Sequence, residues 1–136
     1  KQKRHIKLVE HTEQALTAGI MAVRDRVRTG DIGAAVEAEL KRCNPAYGIV
    51  QDLVGHGVGH FLHEGPDIPN SGRPNTGPWL EAGMTIAIEP MVTLGGKDVY
   101  VAADDWTILT DDGSWSAHFE HTILITEDGA EILTEI

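Results

Sequence analysis

The densest group of side chains that could bind a metal ion lies in the segment Gly55 to Glu64. This segment holds three histidines within eight residues, His56, His60 and His63, with glycine at positions 55, 57 and 59. Neutral imidazole is a ligand for zinc, iron, cobalt and manganese alike. Glycine beside a histidine lets the main chain turn sharply and lets another group approach closely. The pattern favours a metal or ligand site, while each histidine alone is equally typical of a solvated loop.

Two glutamates occur in apolar runs where a charged side chain is costly to bury. Glu89 lies inside the run 84–91, near its end, and Glu120 lies inside the run 115–126. A buried carboxylate needs a partner, and each glutamate alone could instead reach water. If the two runs pair as antiparallel strands, both carboxylates come to one face and repel each other unless a cation lies between them. One histidine and two carboxylates around a divalent ion leave positions for water, as in catalytic sites.

The composition restricts the classes of partner. The 136 residues carry 21 acidic and 11 basic side chains, a net charge of -10, which argues against nucleic acid and against anionic membranes. No apolar run approaches the roughly 18 residues of a membrane span. The single cysteine, Cys43, suits a reducing compartment, and we expect a cytoplasmic location. The length predicts a single domain over residues 1–136.

The elements that would position these residues change character near residue 45. Apolar residues at a spacing of three to four predict a first helix from Ile6 to Val27, ended by Gly30, and a second helix capped by Asp31 and running through Leu40. After them the pattern predicts strands at 47–54, 84–91, 99–110, 115–126 and 131–134, with the proline-rich stretch 64–79 as a long loop. Two helices packed on an antiparallel sheet predict an α+β domain.

Four motifs together resemble type I methionine aminopeptidases. In chain order they are Gly55 to Pro66, Gly83 to Met91 (GMTIAIEPM), Asp105-Trp106-Thr107, and Ser116 to Thr122 (SAHFEHT). Prolidases share the fold and the first two motifs, but the last two favour the methionine enzyme. The resemblance covers essentially the whole chain. It implies one half, the C-terminal one, of the pita-bread fold of these metallopeptidases.

The resemblance also implies roles for individual residues. His56, Glu89 and Glu120 match the family's metal ligands, with Glu120 as the carboxylate that bridges two ions. Glu89 matches the general base as well, and His63 matches the histidine that contacts the scissile carbonyl and its oxyanion. The implied cofactor is a divalent ion (Mn, Co, Fe or Zn), one or two per site.

Leu62 and Trp106 match walls of the pocket that holds the methionine side chain, although the family more often has phenylalanine where Leu62 stands. The resemblance gives no role to His60, His118 or His121. We expect His60 to be solvated and His118 to lie behind the metal ligands.

The sequence departs from the family because it matches only the second of two similar halves. The first half normally supplies two aspartate ligands, a further catalytic histidine and pocket residues. The aspartates of this chain at 104, 105, 111 and 112 lie in or beside a predicted hairpin, where we expect them to be solvated. The resemblance therefore supplies three of five ligands.

The expected function is that of a metal-dependent aminopeptidase that removes the N-terminal methionine from peptides or nascent chains with a metal-activated water. Activity would require a complementing N-terminal half or a homodimer. The alternatives are a non-catalytic half-domain that binds a metal or a protein, and a prolidase-like peptidase.

Overall fold

Two helices form one side of the molecule, which a computed structural model describes over residues 2–136. Helix α1 spans Gln2–Met21 and helix α2 spans Thr29–Cys43. Both bury an apolar face, to which Leu16 of α1 and Val36 of α2 belong. Neither helix is long and apolar enough to cross a membrane.

The boundary between the helices differs from the prediction. Helix α1 ends at Met21 rather than at Val27, and Arg28 is the N-cap of α2. Asp31 is the third helical residue rather than the cap, and its carboxylate accepts a hydrogen bond of 2.9 Å from the Arg28 N–H. Gly30 lies inside α2, where a Cβ would collide with the main chain of the facing loop. This glycine therefore permits a close approach instead of ending a helix.

In the described residues, the rest of the chain forms ten short strands. They are β1 (Gly48–Ile49), β2 (Gly55–Gly57), β3 (Glu64–Ile68), β4 (Thr85–Ile88), β5 (Met91–Thr93), β6 (Val99–Val101), β7 (Ile108–Thr110), β8 (Ser116–His118), β9 (His121–Ile125) and β10 (Ala130–Ile132). A five-stranded sheet has the order β10-β9-β4-β2-β3, a three-stranded sheet has the order β1-β5-β8, and β6 pairs with β7. All these pairs are antiparallel, so the α+β prediction is confirmed.

The core lies between the helices and the two larger sheets. One apolar cluster joins Leu16 and Ile32 of the helices to Ile86 and Ile123 of the five-stranded sheet. A second cluster joins both helices to the three-stranded sheet through residues such as Val92. Because these faces are fully buried, a slip of one residue in strand register would expose them, so the burial fixes the register.

A single register runs through both sheets. Ile88 of β4 lies opposite His121 of β9, and Met91 of β5 lies opposite His118 of β8. In each pair the two residue numbers add up to the same total, as they do all along one antiparallel pairing. The register of the first sheet therefore continues without a shift into the second. It places position 89 opposite position 120, the two glutamates singled out above.

The strands predicted at 84–91 and 115–126 are each divided at that point. Pro90 has no N–H to give to a ladder, which ends β4 before Glu89 and starts β5 after Pro90. On the facing strand, β8 ends and β9 begins opposite Glu89 and Pro90. At this point Phe119 donates its N–H to the Pro90 carbonyl oxygen at 3.4 Å. Both glutamates therefore lie in the gap between the two sheets.

Three further predictions of secondary structure were wrong in detail. Of the strand predicted at 47–54, only Gly48–Ile49 forms a strand, β1. The stretch 99–110 is a hairpin of β6 and β7 because Asp104 closes a turn, accepting the N–H groups of Trp106 and Thr107 at 3.0 and 2.8 Å. The stretch 64–79 is not all loop, since it begins with the edge strand β3.

Asp112 offers a test of how the exposed turns are held. Its carboxylate accepts the N–H of Gly96 at 2.8 Å and that of Ser114 at 3.0 Å, and these bonds lower its pKa from 3.8 to about 2. A pKa lowered by folding stabilises the fold above the unfolded-state value, and this stabilisation disappears as the pH falls through the folded-state value. We expect Asp112→Ala to lower the free energy of unfolding near neutral pH. In urea denaturation the difference in unfolding free energy between the wild type and Asp112→Ala should shrink as the pH falls below about 4. A difference that does not depend on pH would contradict this role.

Gly55 offers a test of strand approach next to the gap. A Cβ at this position would overlap the Ala87 carbonyl oxygen on the neighbouring strand β4. We expect Gly55→Ala to lower the free energy of unfolding by about 1–3 kcal/mol, the usual cost of overpacking. Gly129→Ala is the control, because its Cβ would meet nothing nearer than 4.0 Å. Urea denaturation should show no comparable loss in the control, and equal losses would refute the explanation.

Candidate metal centre

His56, Glu89 and Glu120 come together at the gap between the sheets. One ligand atom from each lies within 4.8 Å of the other two. The shared register brings the two glutamates face to face, and β2 brings His56 beside them because His56 pairs with Ala87, two residues before Glu89. The three residues that the sequence singled out as a ligand set are therefore neighbours in space. Their role as ligands stays a prediction.

The His56 ring is held with one nitrogen turned toward the carboxylates. Its Nδ1 lies 2.9 Å from the Gly57 carbonyl oxygen, and in the neutral tautomer that donates this hydrogen bond Nε2 carries the lone pair. Nε2 lies 3.1 Å from Glu89 Oε1. A histidine whose second nitrogen donates to a carbonyl is oriented as metal-ligating histidines commonly are. His56 is only 9% exposed, so the residue is largely shielded from water.

The charge balance of the three groups suits a divalent cation. Two carboxylates and one neutral imidazole carry two negative charges. Among residues 2–136, no lysine or arginine forms an ion pair with Glu89 or Glu120. Like charges this close repel each other, and a cation shared between them would relieve the repulsion. The donor set of one nitrogen and carboxylate oxygens is also the type that zinc, cobalt, manganese and iron accept.

Two more histidines lie beside this set. The His63 ring is tilted against the His56 ring with centroids 4.3 Å apart. His118 Nε2 lies 3.4 Å from Glu89 Oε2, so Glu89 has an imidazole near each of its oxygens. His60 points into solvent, as expected, and is exposed.

A cavity of about 560 Å³ opens beside these groups. Its polar edge is formed by His56, His63, Glu89 and His118. Its other walls are mostly apolar and are built by Val50, Leu53, Val54, Met91, Val99, Trp106, Ile108, Leu109 and Ala117. A pocket with apolar walls and a few converging polar groups is the usual form of a small-substrate site.

The two residues expected to form pocket walls differ in position. Trp106 lines the cavity although its side chain is 86% exposed, whereas Leu62 is 71% exposed and lies outside the lining. The loop that carries Trp106 is held by Asp104, whose pKa is lowered by hydrogen bonds from the side chain and main chain of Thr107. Trp106 thus stands on a well-defined turn with its ring uncovered.

The remaining aspartates do not reach the centre. Positions 104, 105, 111 and 112 are all exposed in the turns around β7, as the sequence predicted. The apolar lining was not anticipated, although Met91 and Ala117 could have been found from strand alternation once the divided strands were known.

Comparison with known proteins identifies the family of the chain. The sequence matches metallopeptidase family M24 over residues 1–127. It is 47% identical over 130 residues to methionine aminopeptidase 1 of Bacillus subtilis (strain 168), covering 96% of this chain and 52% of that protein. The crystal structure of methionine aminopeptidase from Thermotoga maritima superposes with a TM-score of 0.92 at 48% identity, over 98% of this chain and 53% of that one.

More distant structures share the fold alone. The prolidase from Pyrococcus furiosus superposes with a TM-score of 0.68 at 23% identity, over 100% of this chain and 33% of that one. The pita-bread expectation is thereby confirmed, and the chain spans about half the length of the curated relatives it matches. Since the family match runs through nearly all of the sequence, this chain belongs to metallopeptidase family M24.

Proposed function

We propose that this chain supplies one half of the active centre of a metal-dependent aminopeptidase that removes N-terminal methionine from peptides. The observation that carries the proposal is the convergence of His56, Glu89 and Glu120 beside a largely apolar cavity. The similarity to methionine aminopeptidases at 47–48% identity favours this substrate over the dipeptides of a prolidase, which shares only the fold.

His56, Glu89 and Glu120 would hold one or two divalent ions, of manganese, cobalt, iron or zinc. Such an ion lowers the pKa of water and polarises a carbonyl group. Glu89 is the general base, since its carboxylate lies at the cavity edge and can take the proton of the attacking water. His63, on the same edge, donates a hydrogen bond to the carbonyl oxygen of the first peptide bond as negative charge develops there.

The apolar walls of the cavity would take the substrate's first side chain. Methionine is unbranched and flexible, and its thioether makes favourable contacts with aromatic rings such as that of Trp106. Leu62 is adjacent in sequence to His63, and we assign it to the rim of the same pocket. Both Leu62 and Trp106 are exposed in this chain, as expected if another polypeptide covers the pocket.

The centre requires completion by a second polypeptide, either a complementing N-terminal half or a second copy of this chain. Three ligands leave part of a metal's coordination to other groups. Large apolar side chains are uncovered: Trp106, which lines the cavity, is 86% exposed, and Phe61 and Leu62, which precede His63 in sequence, are 72% and 71% exposed. Apolar patches of this kind are typical of interaction surfaces.

The catalytic assignment is tested with Glu89→Gln. In the presence of Co²⁺ or Mn²⁺, the competent assembly should cleave a methionyl peptide, and the variant should lose at least about a hundredfold in kcat because its amide cannot accept the proton. Calorimetry should still show metal binding, through His56 and Glu120, but at lower affinity because one carboxylate ligand is lost. Glu127→Gln, in an exposed turn, is the matched control and should keep full activity.

The alternatives give different results in the same experiment. One equivalent of bound metal without turnover in any assembly would favour the non-catalytic half-domain. Cleavage of X-Pro dipeptides in preference to methionyl peptides would favour the prolidase-like enzyme. Failure of the wild-type chain to bind either metal would refute the proposal as a whole.

Self-association is tested by sedimentation equilibrium with metal present. We expect the chain of 14.7 kDa to sediment at about twice that mass, since an apolar face of this kind seldom stays uncovered. Val101→Lys, on the exposed hairpin strand β6, should shift the equilibrium toward the monomer, and Ile6→Lys, on exposed helix α1, is the matched control. A strict monomer at high concentration would exclude the second copy and leave the N-terminal half as the partner.

A further inference from the structure

We propose that Asn70 is a positioning residue that fixes the main chain of Glu89 and so aims its carboxylate at the metal centre. This inference rests on the proposed function, because it assumes that Glu89 acts there. Asn70 itself touches neither the cavity nor the other two ligands; it acts through Glu89 alone.

The contact is a hydrogen bond in the interior. Asn70 is 2% exposed, and its Nδ2 donates to the Glu89 carbonyl oxygen at 3.3 Å. Glu89 follows β4 and precedes Pro90, so it lies in the gap where neither sheet's ladder runs. Within residues 2–136, no main-chain N–H outside the ladders donates to this carbonyl. The Asn70 amide therefore provides the link that the missing ladder would otherwise supply.

The position of Asn70 is itself set by close packing. The main chain at 69–71 passes over Gly33 of helix α2, where a Cβ would lie 2.5 Å from the Ser71 carbonyl oxygen and 3.0 Å from that of Pro69. A side chain at position 33 would push this segment away. Gly33 thus lets the segment after β3 lie directly on the helix and places Asn70 beneath the strand gap.

The energetics argue against a purely stabilising role. Among residues 2–136, no group donates a hydrogen bond to the buried Asn70 Oδ1. Leaving such an acceptor unpaired offsets what the one hydrogen bond to the Glu89 carbonyl returns. An apolar residue of similar size would serve the core about as well. An asparagine that adds little to the core, yet donates to the residue carrying the proposed general base, is what a positioning role predicts.

The test compares metal affinity with stability. Asn70→Leu keeps the volume and removes the donor, so we expect the affinity for Co²⁺, measured by calorimetry on the full chain, to fall about 10–100-fold. The visible absorption of bound Co²⁺ should change in intensity as the ligand geometry relaxes. The midpoint of thermal unfolding without metal should stay equal or rise, a combination that a merely structural residue would not give.

Three further variants separate the possible explanations. Asn70→His should bind Co²⁺ more tightly than Asn70→Leu does. The histidine Nδ1 is attached to Cγ, as Nδ2 is in asparagine, so it can donate to the Glu89 carbonyl oxygen. Thr12→Val removes another buried hydrogen bond, that of Thr12 to the Leu8 carbonyl at 2.6 Å within α1, and should leave affinity unchanged. Gly33→Ala displaces the segment but keeps the donor, and should weaken binding. If Asn70→Leu does not fold, Gly33→Ala decides the question.

If Asn70→Leu binds Co²⁺ as tightly as the wild type, the inference is overturned and the proposed function still stands. The same holds for Gly33→Ala if Asn70→Leu does not fold. If the wild-type chain itself binds no Co²⁺, the proposed function fails, and the positioning role is then judged on the metal-free chain. In the metal-free chain, the Phe119 main-chain N–H donates to the carbonyl oxygen of Pro90, the residue after Glu89. The NMR resonance of this amide should shift in Asn70→Leu. An unmoved resonance would again refute the role.

Discussion

The opposition of two carboxylates at the gap between the sheets is the constraint on which the rest of the site depends. Glu89 and Glu120 face each other because the β4–β9 and β5–β8 pairs share one register. That register is held by apolar residues packed under both helices, so the core determines where the charges meet. A slip of one residue would turn one carboxylate to the opposite face and separate the pair. The geometry of the site is thus a direct consequence of how the core is packed.

Much of this could be predicted from the sequence. The two helices and the antiparallel sheet follow from apolar spacing and strand alternation, whereas the pairing that brings Glu89 to Glu120 was one arrangement that the alternation allowed. The division of the strands was missed because both runs look continuous in hydropathy, and only the missing N–H of Pro90 interrupts the ladder. Gly30 was misread as a helix end, since a glycine that permits close packing has the same local signal as one that ends a helix. Asn70 could not be found at all, because an asparagine after proline is typical of an exposed turn.

The proposed interface would lie on the cavity side of the sheets. The chain spans about half the length of its curated relatives, and the cavity is lined in part by exposed apolar residues such as Trp106 and Leu109. The α1 and α2 side of the sheets is already covered. An interface on the cavity side would complete the ligand set and enclose the pocket in the same step. Exclusion of water there would also strengthen every electrostatic interaction that the three ligands make.

The proposed ion site would also couple ion binding to folding. The facing carboxylates of Glu89 and Glu120 repel each other, and a cation shared between them would remove that repulsion. A ligand that binds the folded chain alone adds its binding free energy to the stability. Glu89 would be the point of coupling, because its carboxylate lies in the candidate ligand set and its carbonyl oxygen accepts a hydrogen bond from the Asn70 amide.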